Sequence, residues 1–451
     1  MFRAIIIIII QSSKKRIGEV DLNRFIILPG SDEGNRGDQA LVIQTKRTAE
    51  EAGFTGEYSV LSVKHNEADK SAFGIKTIDS ILEHPGRNIK NKDNLVYTVP
   101  LILKWGFIAA FDFINTGMLL HRLTRLLAKC FLSKSKKRTL KEFKNCDACF
   151  VKGGGFLHSY GSYADIYRIY FFLYHIRLAL KLKKPVYVMP NSFGPFSAPG
   201  VKRQIKSVLP KCKMLTARES ISANMLAKID IHADVYPDLA FSLEKSSRPL
   251  PEFDAILKIA GERKPVAITA RPYRFTGGNI EKQYERYVDS LAETCKWLYE
   301  NGFYPVLIEH VIAENLNESD MKCINDIRAR LNDGEYSVFS NSGYDCMDFK
   351  QLYSRFYAVI GTRFHSVIFS LAEGVPCVAV TYGGNKGQGI MLDNGLSAYA
   401  LDIETVTFDK IIAAFKSIEM NSEEYRAKLE KLMENNLAAH AELVERLSSN
   451  R

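Results

Sequence analysis

The chain has 451 residues, 46% hydrophobic and 25% charged, with a formal net charge of +10. That length exceeds one ordinary core and fits two domains, and the composition excludes fibrous and wholly disordered classes. The positive balance favours anionic partners, and scattered basic residues without a nucleic-acid motif argue against nucleic acid. Most of the eight cysteines lie in apolar or mixed patterns, as reduced cysteines do, so a cytoplasmic protein is expected. Cys146 and Cys149 form a lone CxxC with no second pair to complete a metal site.

In chain order, the opening MFRAIIIIII is apolar but short and lacks a small-residue cleavage site. It reads as an edge strand or lead-in, not as a signal peptide or a span. No segment reaches the uncharged length of a transmembrane helix. Strand-like runs then alternate with helical patterns. The first series of strands is Arg24–Leu28, Tyr58–Val63, Ala148–Val151, Pro185–Met189, Lys213–Thr216 and Ala233–Tyr236. The second is Pro265–Ala270, Tyr304–Ile308, Ser337–Phe339, Ala358–Ile360 and Cys377–Thr381. Such alternation implies parallel sheets covered by helices.

Glu244–Pro251, polar and with two prolines, reads as the linker. The expected architecture is α/β, two Rossmann-like domains facing a cleft in the manner of glycosyltransferase-B enzymes. The first domain covers 1–245 and the second 252–451, with the last helix, about Ser422–Leu447, returning to the first domain. Asn94–Leu132 interrupts the pattern. It places Leu119, Leu123, Leu126, Leu127 and Cys130 on one helical face and Arg122, Arg125 and Lys129 on another. Two readings stand: a peripheral membrane contact on the inner face of the cell membrane, or a helix packed on the core with its basic face in water.

Candidate chemistry falls where strands end, the usual place for ligands in open α/β sheets. The first strand opens into Gly30–Ala40, a glycine loop entering a helix, with Asn35 and Asp38 as polar candidates; helix capping is the structural reading of Asp38. Gly153, Gly154 and Gly155 follow the third strand and read as a turn into a helix that permits close backbone approach to a ligand. The next strand ends in a Pro/Gly loop carrying Asn191 and Ser192. Arg218 and Arg271 are strand-end arginines suited to an anion, and Asp238 is a strand-end acid. Arg363 and His365 stand two apart after a buried run, pairing a permanent cation with the side chain that titrates near neutrality.

GNRGDQALV, VKGGGFL, PNSFGPF, ARES, YPDLAF, the arginine of ITARP and GTRFHSVIFSLAEGVPCVAVTYGGNKGQGIM occur in one order from about Phe25 to Leu396. Together they resemble the polysaccharide pyruvyl transferase family. The resemblance implies transfer of a pyruvyl group from phosphoenolpyruvate to a sugar or glycan acceptor, lipid-linked or free, as a ketal. By motif, Arg218, Arg363 and His365 would hold the donor. In this reading His365 is the general acid or a phosphate ligand, Arg363 and Arg218 are anion clamps, and Arg271 and Lys386 assist. Asp38 or Asp238 would deprotonate or orient the sugar hydroxyl. Phosphoenolpyruvate is the co-substrate, and no metal or other cofactor is expected. The rivals are a glycosyltransferase using a nucleotide-sugar donor and a non-catalytic carbohydrate-binding protein.

Overall fold

The computed structural model describes residues 23–31, 34–62, 71–83, 99–275, 278–313, 319–383 and 386–451. The apolar opening run lies outside them. The described residues form two sheets. The first contains β1 (Arg24–Ser31), β2 (Glu57–Ser62), β3 (Ser71–Ala72), β4 (Ile75–Ile78), β5 (Ala148–Val151), β6 (Gly154–Ser159), β7 (Val186–Phe196), β8 (Met214–Ala217) and β9 (Asp234–Val235), in the order β3-β4-β2-β1-β5-β7-β8-β9 with β6 beside β7. The second contains β10 (Lys264–Thr269), β11 (Phe303–Ile308), β12 (Ser337–Phe339), β13 (Ala358–Gly361), β14 (Cys377–Thr381) and β15 (Ala400–Asp402), in the order β12-β11-β10-β13-β14-β15. Every pairing is parallel except β3 with β4.

Successive residues of a strand point to opposite faces, and both faces of the first sheet are buried. Ile26 and Leu28 of β1 enter one core with Leu173 and Ile176 of the helix Ala164–Lys181. Phe25 and Ile27 enter another with Leu41 of the helix Arg36–Glu51. Leu443 and Leu447 of the terminal helix Ser422–Ser449 complete that second core, while its Tyr425 and Leu429 belong to the core of the second domain. The helix Arg36–Glu51 is likewise shared, with Ala40 and Ile43 packed into the second-domain core. The two domains are therefore joined by continuous apolar packing as well as by the chain.

The structure departs from the sequence reading at four places. β7 runs on through Asn191 and Ser192 to Phe196, where a loop was expected. The triple glycine leads into β6, not into a helix. The short strands β3, β4 and β15 had no periodicity to announce them. Finally, Val99–Leu120 is one helix, long and apolar enough by length and composition to cross a membrane, because Lys104 and Asp112 interrupt its apolar run without ending the helix. It stops at Leu120, so Leu119 and Leu123 do not share a helical face: Leu119 is buried and Leu123 is 90% exposed.

Candidate active site

The first-domain wall gathers the ends of β1, β5, β7 and β8. Asn35 caps the helix Arg36–Glu51, its Oδ1 accepting from the backbone N–H of Gly37 at 3.1 Å and of Asp38 at 3.3 Å. Capping thus falls to Asn35, and the Asp38 carboxylate is turned instead to Lys152, 2.8 Å away. Lys152 is buried at the end of β5, where an ammonium is tolerable only with such a partner. Gly153 and Gly154 serve backbone packing. A Cβ on Gly153 would press on Leu41 and the Pro190 carbonyl, and Gly154 has φ +150°, which L side chains rarely adopt. The Gly155 carbonyl lies 2.9 Å from His158 Nδ1.

Inside β7, Asn191 donates to the carbonyls of Lys152 (2.7 Å) and Met189 (3.1 Å), while its Oδ1 is buried without a protein partner. Ser192 Oγ accepts from Arg218 Nε at 2.7 Å and donates to Glu219 at 2.9 Å. The other side of the Arg218 guanidinium donates to Asp238 at 2.7 Å, and the ring of Phe364, from the second domain, covers it at 4.2 Å. Asp238 uses its second oxygen to cap the following turn at Ala240 N–H. Arg218 and Asp238 are both buried and hold each other, so neither stands as the open anion clamp or open base that sequence reading expected. Desolvation pushes the wholly buried Glu219 carboxyl up to about 7.

The second-domain wall is built the same way. The backbone N–H groups of Thr362 and Arg363 donate to Thr269 Oγ1 at 3.1 and 3.2 Å, fixing the exit of β13 against β10. Arg363 Nε donates to Asp320 at 2.7 Å. The other Asp320 oxygen accepts from the backbone N–H of His310 and of Val311, both at 2.9 Å, and burial raises this carboxyl above its usual range. His310, just beyond β11, lies 3.1 Å from the Tyr353 hydroxyl through Nδ1; its Nε2 is buried without a protein partner, and desolvation holds its pKa well below 6.5. Arg271 stacks on Tyr382 at 4.3 Å and donates to the Pro272 carbonyl at 3.4 Å, neither of them an acid. Lys386 opens the helix Lys386–Asp393; its side chain lies outside the described residues.

His365 joins the two walls. Its ring lies directly against the Cα of Gly37, so that any Cβ there would overlap Nδ1. Its Nε2 is buried with no protein partner. Desolvation drives the imidazole down to about 4, opposed by Asp238 and Asp38 and reinforced by Arg218 and Lys152. All four of those charges belong to the first domain. Around them the domains are pinned by Gln39 Oε1 accepting from Cys346 N–H at 2.8 Å, by Arg36 bonding Asn341, and by Tyr160 donating to the Gly383 carbonyl at 2.9 Å. The structure thus brings Asp38, Arg218, Asp238, Arg363 and His365 to one interface. Sequence reading missed Lys152, Glu219, His310 and Asp320. The first three sit at strand ends and carried that positional signal; Asp320, at the start of a helix, carried none.

Residues 35–384 match the family model described as polysaccharide pyruvyl transferase. The chain is 28% identical over 307 residues to the amylovoran biosynthesis protein AmsJ of Erwinia amylovora, covering 65% of this chain and 70% of that protein. Its fold is similar to that of UDP-GlcNAc 2-epimerase from Neisseria meningitidis, with TM-score 0.53 and 14% identity over 94% of this chain and all of that one (100%). The Methanocaldococcus jannaschii UDP-GlcNAc 2-epimerase gives TM-score 0.51 and 12% identity over 87% of this chain and 92% of that one. The two parallel-sheet domains are of the glycosyltransferase-B type. The chain belongs to the polysaccharide pyruvyl transferase family, and it is a transferase acting on polysaccharide.

Proposed function

We propose that this pyruvyl transferase takes its pyruvyl group from phosphoenolpyruvate and sets it on a sugar of a polysaccharide, or of its lipid-linked precursor, as a cyclic ketal. The observation that carries this reading is His365: a neutral imidazole whose buried Nε2 has no protein partner, set at the domain interface within the field of Arg218, Lys152, Asp238 and Asp38. Phosphoenolpyruvate is an enol ester bearing a carboxylate and a phosphate. Ketal formation delivers a proton to its methylene carbon, leaving an oxocarbenium-like centre. One sugar hydroxyl attacks, the C–O bond to phosphate breaks, and a second hydroxyl closes the ring. Of the two hydroxyl protons, one ends in the new methyl group and the other on phosphate, so the reaction balances with no cofactor.

An imidazole titrating near 4 is about one-thousandth protonated at pH 7, too little for an acid. A single anionic group about 4 Å away contributes about 4 kcal/mol at an effective dielectric of 20, or about three pKa units. The donor's own charges would therefore lift His365 into the working range only once the donor is bound, coupling acid strength to occupancy. Arg271, which lies in the field of Asp320 but is bonded to no carboxylate, is the cation assigned to the donor's carboxylate or phosphate; Arg363 and Arg218, each fixed by a buried aspartate, supply positive field of fixed direction. Asp38, which is part-exposed beside Lys152, is the better placed of the two acids to receive a sugar proton. The enzyme is assigned to the cytoplasm, where phosphorylated metabolites are available.

Incubating the enzyme with phosphoenolpyruvate and candidate glycans tests this. Inorganic phosphate release with a three-carbon pyruvyl adduct in the mass spectrum supports it. Release of a nucleoside diphosphate from a nucleotide sugar, with no phosphate from phosphoenolpyruvate, overturns it.

A further inference from the structure

The helix Val99–Leu120 is built inside out for a water-soluble domain. Val99, Leu103, Phe107, Phe111 and Ile114 recur at three- and four-residue spacing, so they form one stripe, and every one of them is exposed, Phe107 to 75%. The opposite face turns Asn115 and Thr116 inward, and the Thr116 hydroxyl lies 2.9 Å from Tyr170 on the helix Ala164–Lys181. Leu123, Leu126, Leu127 and Phe131 extend the exposed apolar surface beyond the helix, and the Phe111 and Phe131 rings meet at 6.0 Å. An apolar surface of this extent on one side of a globular protein marks an interaction face.

The charge around it says with what. Residues 99–144 hold ten lysines and arginines against two acids, a net +8 within a chain of net +10. Lys136 is engaged by Glu83 at 3.1 Å, but Lys134, Lys137, Lys141 and Lys144 are exposed. Lys129 stands close enough to Lys144 to hold that ammonium below its usual range, a crowding of like charges that an anion would relieve. Exposed apolar side chains bordered by basic ones are complementary to the interface of an anionic bilayer, with acyl chains beneath and phosphate groups above.

We infer that residues 99–144 dock this enzyme on an anionic membrane surface, the apolar stripe entering the interface and the lysines meeting lipid phosphates. The segment lies on the membrane and does not cross it. Its last turns are held to the first domain by Tyr170, through Thr116 and through the Phe113 ring at 4.5 Å, and Lys104 and Asp112 stand within the run. The same Ala164–Lys181 helix begins beside the cleft: exposed Tyr163 and Ile166 follow Tyr160, which bonds across to Gly383. A glycan carried on a membrane lipid would thus meet the enzyme near its cleft mouth. The inference does not depend on the donor assigned above.

Flotation of the whole protein with vesicles of equal parts phosphatidylglycerol and phosphatidylcholine tests it. The expected result is co-flotation that falls with salt and is weak on phosphatidylcholine alone. Lys134→Gln/Lys137→Gln/Lys141→Gln should weaken binding roughly fivefold per charge, and Phe107→Ser/Leu123→Ser should weaken it at least as much. All five positions are exposed, so the melting temperature should stay at the wild-type value and report intact folding. Failure of the wild-type protein to float with anionic vesicles overturns the inference, as does wild-type flotation by both variants. Concentration-dependent self-association broken by Phe107→Ser/Leu123→Ser, with no vesicle binding, would assign the face to a second copy of this chain instead.

Discussion

The two walls of the cleft share a plan and differ in what they leave unfinished. Each presents an arginine at a strand end, and each fixes it with a buried aspartate: Arg218 with Asp238 in the first domain, Arg363 with Asp320 in the second. On the first wall nearly every other polar group is also engaged, Lys152 with Asp38 and Ser192 with both Arg218 and Glu219. The second wall adds two histidines with unpartnered Nε2 atoms and an arginine, Arg271, that feels Asp320 through space but is bonded to no carboxylate. Buried polar groups are normally satisfied within the protein, and exceptions need an explanation. Apart from Asn191 Oδ1, the polar groups of the first wall are spent on one another, whereas the second wall leaves two imidazole nitrogens without protein partners.

The largest test of that contrast is His365→Ala. If the imidazole is the acid, pyruvyl transfer should fall about a thousandfold, the range of general acid catalysis, with the unfolding midpoint little changed. Near-wild-type turnover would remove His365 from the mechanism. Gly37→Ala comes next. Its methyl would overlap the His365 ring, and displacing the ring by about 1 Å should cost on the order of a hundredfold in kcat. In an ordinary helix the same change is stabilising, so a faster or unchanged enzyme would show that the close approach of the walls is irrelevant.

Opposite pH dependences provide the third test. The folded protein holds His365 near 4, against about 6.5 for a free imidazole, so the unfolded chain takes up a proton first as pH falls. This group therefore costs stability between pH 6.5 and 4. Glu219, raised to about 7 from 4.5, binds its proton in the folded state first and adds stability as pH falls from 7 to 4.5. Comparing unfolding free energies at pH 7 and pH 5, His365→Asn should shift the difference by about 2 kcal/mol toward acid stability and Glu219→Gln by a similar amount the other way. Shifts of the same sign would show that the walls do not titrate as described. The smallest effect is expected from Arg271→Ala: KM for phosphoenolpyruvate up about tenfold with kcat less affected, the loss of one charge-assisted contact. An unchanged KM would move the anion site elsewhere.

Much of this was legible in the sequence. Buried runs such as Ala358–Ile360 and Cys377–Thr381 are short, apolar and bounded by glycine, and they became β13 and β14. The order of strand-end motifs carried the family, and with it the position of Arg363 and His365. Other features were not legible. β6 begins in two glycines, preceded by a third, and β3, β4 and β15 are two to four residues long; in such segments pairing with a neighbour, not intrinsic pattern, decides the conformation. The stripe Val99–Ile114 has helical spacing, but spacing alone does not say which side faces water.

The sequence by itself determined the alternation of strand and helix, the two-domain plan and the residues at strand ends, because periodicity and glycine placement are local properties of the chain. Only the tertiary structure decided which of those residues are spent on each other. That Arg218 is held by Asp238, that Asp38 turns to Lys152, and that His365 rests on Gly37 across the domain boundary are outcomes of pairing between separate segments of the chain. A charged side chain looks the same in a sequence whether its partner is a buried aspartate or a substrate.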